Sequence, residues 1–461
     1  MSVVPNHPPL GELIGKQKQA LAAGELRSLE VRRNYLLRLE KCLMKYQERM
    51  IEALDKDLGK PEAEAYLAEY HFLLQEIRLV RSKLSAWLSP ERVGSPLYFH
   101  PCRSEVLREP YGCALIIAPW NYPFQLAMAP LISAVAAGNT VVLKPSEIST
   151  HSEALIGEII SEVFPPETVS VVTGGAEVAG ALLEEKWDFI FFTGSTGVGR
   201  LVAKKAAEHL TPCVLELGGK CPCVVDSRAD LKVAAGRILA GKFFNGGQTC
   251  FAPDFVAVHH DVKEELLEAM QCELEAVPWH EEMATVINKR HYDRLRGLLD
   301  GVEEARIIQS GADDEEKLRL APRVVKEVAW EDALMKEEIF GPVLPVISYE
   351  GDDELINRLQ QLEDPLALYL FTEDEAFVKK VMQAKRSGGV CVNDTLKQSS
   401  NLELPFGGVG DSGYGRYRGK HGVYAFCYER AVARRGKLGA GLMDIKPPYD
   451  KVFKWLKRVM R

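Results

Sequence analysis

The stretch FNGGQTCFAPD, residues 244–254, places a cysteine where a thiol is able to do chemistry. Gly246 and Gly247 allow the backbone to bend tightly before Cys250, and Gln248 and Thr249 are expected to keep its surroundings polar. An accessible thiol in such a loop is suited to act as a nucleophile once it ionises. A loop in which the cysteine is incidental fits the stretch equally well, so the interpretation depends on partner residues.

Two further segments contain groups that such a nucleophile would use. In LELGGK, Glu216 stands in an apolar strand that ends in two glycines, where a carboxylate is unusual unless it is paired or functional. Partial burial would raise its pKa and suit it to act as a general base. In PWNYPF, a fixed Asn121 amide can donate to a developing oxyanion. The alternatives are an exposed charge at the strand end for Glu216 and a helix cap for Asn121.

A phosphate-binding turn is indicated by FFTGSTGVGR, which lies between an apolar strand and a helix. Gly194, Ser195 and Gly199 are expected to direct backbone N–H groups at a phosphate, although the spacing is not GxGxxG and a plain tight turn also fits. In NTVVLKPSE, Lys144 and Glu147 follow a buried strand at its carboxyl end, where ligands collect in open α/β sheets. These two side chains are able to bind ribose hydroxyls; a solvated surface pair is the alternative.

The elements that would position these groups alternate between apolar strands and helices. Residues from about 10 to 88 have helical periodicity, and short apolar runs follow from Cys113 onward. The strand candidates are CALIIAP, NTVVLKP, VSVVTG, FIFFTG and PCVLELG, and then CPCVVD, FVAVHH, VLPVISY, ALYLFT and GVCVND. Each series predicts a parallel sheet with helices on both faces. The fold class is therefore α/β, with two Rossmann-like doubly wound domains plus a small oligomerisation arm from the less regular segments 97–108 and after Asn401.

The composition excludes several classes of protein. A chain of 461 residues with 46% hydrophobic and 26% charged residues is long enough for two or three globular domains, and its net charge of −8 argues against nucleic acid as a partner. Ten scattered cysteines are too few for a disulfide scaffold, and Cys221 and Cys223 have no nearby histidine or second pair, so no metal is expected. The amino terminus has no signal-peptide pattern and no apolar run is long enough to span a bilayer, which favours a cytoplasmic location.

Seven ordered motifs resemble those of the aldehyde dehydrogenase superfamily. They are PWNYPF, LKPSE, FTGSTGVGR, LELGGK, NGGQTC, EEIFGP and LPFGGVGDSGYGR. The resemblance covers about residues 10–430, and LTPCVLELGGKCPCVVD is most similar to the class 3 branch, the fatty and aromatic aldehyde dehydrogenases. It implies NAD(P)-dependent oxidation of a medium-chain, long-chain or aromatic aldehyde to the acid. A CoA-acylating enzyme and a binding protein with an inactive site are the alternatives, and Glu216 favours water over a thiol as the acyl acceptor.

The resemblance also implies a role for each matched residue. Cys250 would attack the aldehyde carbon, Asn121 and the Cys250 N–H would hold the oxyanion, and Glu216 would activate the water that hydrolyses the thioester. The implied cofactor contacts are Trp120 and Ser195 at the pyrophosphate, Lys144 and Glu147 at the adenine ribose, and Glu338 and Phe340 at the nicotinamide ribose. The Glu147 charge favours NAD over NADP, although class 3 relatives often tolerate NADP. A homodimer is implied by analogy alone.

The predicted strands and helices, together with the matched motifs, divide the chain into regions. Residues 1–90 and 110–216 form the predicted NAD(P)-binding domain, 217–400 the catalytic domain, 91–109 and 401–432 the bridging or oligomerisation segments, and 433–461 a basic tail. Class 3 proteins often have serine at the position of Gly246 and histidines near Gln398 and Leu402. These departures leave the identity of the aldehyde open.

The basic tail is a feature that a catalytic domain does not explain. From residue 434 onward it has nine Lys or Arg and two Asp, a net charge of +7 that leaves −15 on the rest of the chain. Val452, Trp455, Leu456 and Val459 would share one face of a helix. Such a helix is suited to an anionic membrane surface, which would place the protein peripherally at a membrane, or to docking on the acidic body or a partner subunit.

Overall fold

The computed structural model of the chain describes residues 9–96, 99–437, 446–447 and 449–459. Its strands are β1 (Glu91–Val93), β2 (Cys102–Pro110), β3 (Cys113–Ile117), β4 (Thr140–Lys144), β5 (Val169–Val171), β6 (Phe189–Thr193), β7 (Cys213–Glu216), β8 (Pro222–Val225), β9 (Phe255–His259), β10 (Ile307–Gln309), β11 (Arg323–Val325), β12 (Val343–Tyr349), β13 (Ala367–Phe371), β14 (Gly389–Val392), β15 (Gly413–Tyr414) and β16 (Cys427–Arg435). Its α-helices are α1 (Leu10–Ala23), α2 (Leu29–Leu58), α3 (Glu62–Ala65), α4 (Phe72–Trp87), α5 (Pro123–Ala137), α6 (Thr150–Val163), α7 (Ala176–Glu184), α8 (Thr196–Glu208), α9 (Leu231–Phe243), α10 (Lys263–Ala276), α11 (Lys289–Gly297), α12 (Asp352–Gln361), α13 (Glu375–Ala384), α14 (Lys397–Ser400), α15 (Gly419–Ala425) and α16 (Tyr449–Val459).

The first sheet has six strands in the order β15-β7-β6-β3-β4-β5. Strands β3 to β7 are parallel, and the chain order reverses between β3 and β6. Every residue of β3, β4 and β6 is buried, which explains their unbroken apolar sequences. Because ligands bind at the carboxyl ends of strands where the order reverses, the segments that follow β3 and β6 lie at the expected binding crevice.

The second sheet has seven strands in the order β10-β11-β12-β9-β8-β13-β14. All neighbours are parallel except β10 and β11, and the order reverses between β8 and β13. The ten strands predicted from the apolar runs are all present in these two sheets, so the doubly wound α/β fold is confirmed. The strands β10, β11 and β15, of two or three residues each, are not among the predicted ones.

A separate antiparallel sheet joins β1, β2 and β16, with nine residue pairs between β2 and β16. This sheet corresponds to the predicted arm, but β16 continues to Arg435 and so includes the first residues predicted as tail. Within the predicted bridging segment 401–432, β15 pairs with β7 of the first sheet and α15 packs on α4 and α5. The division into two functional domains and the role of the arm in dimerisation stay predictions.

The amino-terminal helices confirm the helical periodicity predicted from residue 10 to 88. The Ser28 side chain caps α2 at its start, and the left-handed Gly59 ends it. A π-helical turn, Tyr66–His71, connects α3 to α4 and turns Glu69 into the protein. These helices pack on α5, which is buried at every position.

The tail forms a helix, α16, as predicted. The side chains of Trp455, Leu456 and Val459 lie outside what the structure describes, whereas Phe453 is exposed. Within the described ranges no helix combines the length and the apolar character that crossing a bilayer requires.

Candidate active site

The loop before Cys250 is held in a conformation that requires glycine. Asn245, Gly246 and Gly247 have φ angles of 55°, 61° and 73°, so three successive residues are left-handed. A Cβ at Gly247 would lie 2.3 Å from the Gly341 carbonyl oxygen. The tight bend predicted from the two glycines is therefore observed, and it begins one residue earlier, at Asn245.

Gln248 and Thr249, predicted to keep the surroundings of the thiol polar, are both buried. The Gln248 amide donates to the Thr285 carbonyl at 2.9 Å and accepts from the Ile287 N–H at 3.0 Å. The Thr249 hydroxyl is 2.6 Å from the Tyr122 hydroxyl. Their polar groups fix the loop rather than solvate the thiol.

Cys250 itself is half-buried and lines a cavity of about 510 Å³ together with Asn121 and Glu216. Its sulfur is free, like those of the other nine cysteines. Desolvation in the cavity raises the pKa of the thiol well above its usual value, and the carboxyl groups of Glu338 and Glu216 raise it further. At neutral pH the thiol is therefore protonated and needs a base before it attacks.

Glu216 is the last residue of β7 and is 3% exposed, so the alternative of an exposed strand-end charge is wrong. Neither of its carboxyl oxygens has a hydrogen-bond partner among the described residues. Burial raises its pKa well above the usual range, against the opposing charges of Arg418 and Arg416. Gly407 leaves room for this carboxyl group, because a Cβ there would lie 2.9 Å from Oε1.

Asn121 does not cap a helix, because α5 begins at Pro123 and has no side-chain cap. Its Nδ2 donates to the Gln248 carbonyl at 2.9 Å, which joins the loop after β3 to the Cys250 loop. A side-chain amide carries two N–H donors, so one remains for the cavity that Asn121 lines. This arrangement is suited to stabilising an oxyanion on a carbon bonded to the Cys250 sulfur.

A buried ion pair beneath Asn121 was not predicted from the sequence. Lys60 Nζ lies 2.7 Å from Glu69 Oε1, and both side chains are fully buried. Lys60 also donates to the Asn121 backbone carbonyl at 3.1 Å, while Glu69 Oε2 accepts from the N–H groups of Phe124 and Gln125 at 3.0 and 2.9 Å. Glu69 thus caps α5 from a distant helix. Only the π-helical turn brings it there, so no local pattern reveals it.

The same cavity is lined by five of the predicted cofactor contacts, Trp120, Gly194, Ser195, Glu338 and Phe340. Trp120 meets the Phe340 ring edge-on at 5.4 Å. A Cβ at Gly218 would lie 2.1 Å from Glu338 Oε2, so the first glycine of LELGGK makes room for this carboxyl group. Burial raises the pKa of Glu338 to about 8.

The two glycines of the predicted phosphate turn have different roles from those expected. The Gly194 N–H donates to the Glu216 carbonyl at 3.0 Å, and the Gly199 N–H donates to the Ser195 carbonyl at 2.9 Å. A Cβ at Gly199 would lie 2.5 Å from Leu217, so Gly199 allows α8 to pack closely on the strand end. The amides left for an anion are those of the first turn of α8, from Ser195 onward.

Lys144 and Glu147 form an ion pair of 2.9 Å at the end of β4, beside the strand that leads to Trp120. Neither of them lines the cavity. Two residues that the sequence analysis missed, His291 and Arg294, do line it. The His291 ring is 5.3 Å from Trp120, and burial followed by Arg294 and Arg290 lowers its pKa to about 4. A histidine and an arginine on a polar helix resemble ordinary surface residues, so the sequence does not indicate that they line a cavity.

A second cavity, of about 530 Å³, opens beside Tyr122 and Phe251, which flank the catalytic loops. Apolar side chains from the π-helical turn, α4 and the end of α9 form much of its wall, including Leu67, Phe72 and Phe244. The cavity therefore approaches the Cys250 loop through residues different from those lining the first cavity.

Three comparisons with known proteins agree with this geometry. The sequence profile described as the aldehyde dehydrogenase family matches residues 12–432. The 4,4'-diaponeurosporen-aldehyde dehydrogenase of Staphylococcus aureus is 40% identical over 94% of this chain and 95% of its own. Human aldehyde dehydrogenase family 3 member B1 is 40% identical over 93% of this chain and 92% of its own. The solved structure titled the substrate-bound state of Staphylococcus aureus AldH superimposes with a TM-score of 0.95 at 39% identity, over 99% of this chain and 100% of that one.

Proposed function

Because the chain belongs to the aldehyde dehydrogenase family and is an NAD(P)-dependent aldehyde dehydrogenase, we propose that Cys250, Glu216 and Asn121 carry its reaction. The observation that supports this proposal is that side chains from three separate segments line one cavity with Glu338 and Phe340. None of these segments is adjacent to another in the sequence, so their convergence is a property of the fold.

The cavity fits a nicotinamide dinucleotide at several points. The first turn of α8 presents free amides to a pyrophosphate, Trp120 and Phe340 offer aromatic walls, and Gly218 leaves the space in which Glu338 reaches a ribose. When bound, the cofactor accepts the hydride that leaves the aldehyde carbon. The Lys144–Glu147 pair would meet the adenine ribose, and the Glu147 carboxylate would repel a 2′-phosphate, which favours NAD over NADP.

The chemistry of the chain's own residues begins at the thiol. Cys250 gives up its proton to a base and its sulfur bonds to the aldehyde carbon, while the second Asn121 N–H and the Cys250 N–H hold the oxygen that becomes negative. Loss of hydride leaves an acyl thioester on Cys250. Glu216, in its ionised form, then removes a proton from the water that attacks the thioester and releases the carboxylic acid.

The substrate is proposed to be a medium-chain, long-chain or aromatic aldehyde that enters through the second cavity. Leu67, Phe72, Phe244 and Phe251 provide an apolar wall there, which suits a hydrocarbon chain or ring. The Staphylococcus aureus relative is named for the oxidation of 4,4'-diaponeurosporen-aldehyde, which shows that an aldehyde is the substrate of that relative.

The proposal extends to how the chain assembles and where it acts. The sheet of β1, β2 and β16 is the predicted dimer contact, because long antiparallel strands at an edge are suited to pairing between subunits. The helix α16, with exposed Phe453 beside Lys454 and Lys457, is suited to an anionic membrane surface. We therefore propose a cytoplasmic enzyme that contacts a membrane surface peripherally.

The test is the Cys250→Ala variant, assayed for NADH formation from an aldehyde and for cofactor binding. NADH formation should be abolished while binding of NAD, followed by quenching of tryptophan fluorescence, persists. The matched control is Cys272→Ala, an exposed cysteine on α10, which should behave as the parent. NADH formation near the parent rate in Cys250→Ala would refute the assignment, and acyl-CoA in place of free acid would show a CoA-acylating enzyme.

A further inference from the structure

Arg418 is a buried cation in the wall of the second cavity. It is 2% exposed, and its backbone has a φ of 79° immediately before α15. Three aromatic rings surround the guanidinium carbon, those of Phe406 at 4.1 Å, Phe72 at 4.8 Å and Tyr417 at 5.6 Å. Phe406 in turn contacts Phe251, the residue after the nucleophile. The aromatic rings therefore hold the positive charge of Arg418 close to the Cys250 loop.

The Nε of Arg418 has no hydrogen-bond acceptor within the part of the chain that the structure describes. The charge of the guanidinium opposes the rise in pKa of the buried carboxyl groups of Glu216 and Glu76. The nearby Glu76 uses Oε1 to accept from the Gly419 N–H at 2.8 Å, and neither Glu216 oxygen bonds to any described group. A buried charge is costly to fold unless it is paired or hydrogen-bonded. An anion from outside the chain would satisfy it.

The other charged residues that line this cavity add more positive than negative charge. Arg237 and Lys397 are exposed at its rim, and Asp394 is the carboxylate that lines it. Three cations thus face one anion around a largely apolar wall. A planar guanidinium matches a carboxylate better than it matches a neutral chain, because it donates two parallel hydrogen bonds.

We propose that this cavity selects aldehydes that also carry a carboxylate group, and that Arg418 binds that carboxylate. The substrate class would then be oxo acids in which a hydrocarbon chain or ring separates the two groups. Leu67, Phe72 and Phe251 would contact the hydrocarbon part. This proposal rests on the proposed function of Cys250 and specifies its substrate.

The experiment measures kcat/KM for a series of ω-oxo carboxylic acids and for straight-chain aldehydes of equal carbon number. The parent enzyme should prefer the oxo acid by about tenfold or more at the best chain length, since a hydrogen bond to a charged group has that magnitude. Arg418→Met should reduce this preference about tenfold or more, and Arg418→Lys should retain part of it. Lys420→Met, two residues away and outside the cavity, is the control in which the preference should not change.

An equal or lower kcat/KM for the oxo acid at every chain length in the parent enzyme would overturn the proposal, and so would an unchanged preference in Arg418→Met. Methionine and lysine face the same left-handed backbone at this position, so the comparison of these two variants isolates the charge. Should Arg418→Met fail to fold, the parent enzyme and Arg418→Lys still decide. If neither type of aldehyde yields NADH, the proposed function of Cys250 has failed instead.

Discussion

The three proposed catalytic side chains are positioned by different physical means. Cys250 follows a left-handed turn of Asn245 and two glycines, Asn121 is held by hydrogen bonds to neighbouring loops, and Glu216 by its place at the end of a buried strand. Because two of the three groups are poorly solvated, their ionisation rather than their position is expected to limit the reaction at low pH.

Asn121→Ala tests the oxyanion role. Removing one donor to the developing charge should lower kcat by about 10²–10³-fold, which corresponds to about 3–4 kcal/mol of transition-state stabilisation. Single-turnover formation of NADH measures this step directly. Asn357→Ala, an exposed position on α12, serves as the control. A change of less than about threefold would remove Asn121 from this role.

Glu216→Gln tests water activation. Hydrolysis of the thioester should become the slow step, so a pre-steady-state burst of NADH should precede slow turnover. Because the pKa of Glu216 is raised, its carboxylate forms only as the pH rises, and the parent's hydrolysis rate should increase with pH through that raised pKa. This pH dependence should disappear from the hydrolysis step of the variant. Steady-state turnover equal to the parent's would contradict the assignment.

Stability gives a second measurement on the same variant. Ionising Glu216 in the folded state is unfavourable, so the parent loses stability as the pH rises from the unfolded pKa, about 4.3, toward the higher folded value. Glutamine does not ionise. The free energy of unfolding of Glu216→Gln should therefore gain on that of the parent toward alkaline pH, which urea unfolding at several pH values checks.

At the scale of elements, the site depends on how α3, the π-helical turn and α5 are joined. The Lys60–Glu69 pair ties the end of α2 to the start of α5 and to the Asn121 carbonyl, so residues of the amino-terminal helical region support the loop that contains Asn121. Removing one partner would leave the other charge buried without compensation.

We expect Lys60→Met to lower the free energy of unfolding by about 3–5 kcal/mol, because Glu69 is then left alone in the core. It should also lower kcat more than it changes the affinity for the cofactor, since Lys60 contacts the Asn121 carbonyl. Urea unfolding and single-turnover kinetics measure the two effects. Lys56→Met removes the exposed pair of Lys56 with Glu52 and should leave the free energy of unfolding nearly unchanged. Parent-like kinetics in a folded Lys60→Met would show that the pair is structural only.

At the scale of the whole molecule, the two sheets contribute opposite ends to the site. Trp120, Asn121, Ser195 and Glu216 lie at the carboxyl ends of strands of the first sheet, whereas Cys250 precedes β9 and Glu338 precedes β12 in the second. The first sheet thus contributes the carboxyl ends of its strands to the crevice, as expected for a doubly wound sheet. The second sheet closes the crevice with segments that precede the amino ends of its strands.

The tail is a feature of the same scale. Phe453 is 57% exposed in α16, and Lys454 and Lys457 are exposed too, so an apolar ring and two cations are available to an anionic surface. Deleting the residues after Lys446 should reduce sedimentation with anionic liposomes and leave the weak sedimentation with neutral liposomes unchanged. Replacing both Lys454 and Lys457 by Glu should have the same effect while keeping the helix. Unchanged partitioning together with an altered oligomeric mass would favour docking on a partner subunit.

The sequence by itself determined the elements and the reactive residue types. Apolar runs predicted ten of the parallel strands, and three candidate residues stood out by their local context: Cys250 by the glycines before it, Glu216 by its place in an apolar strand, and Asn121 by its fixed turn. Such signals are local: periodicity and turn glycines act over a few neighbouring residues.

The tertiary structure alone decided what depends on residues far apart in the chain. It joined Lys60 and Glu69 beneath Asn121, gave the amides of Gly194 and Gly199 to the protein's own carbonyls, and buried Arg418 among Phe72, Phe406 and Tyr417. The physical reason is that the free-energy cost of placing a polar group inside the protein depends on how deeply it is buried and on its hydrogen-bond or ion-pair partners. Both are fixed only when distant segments pack together.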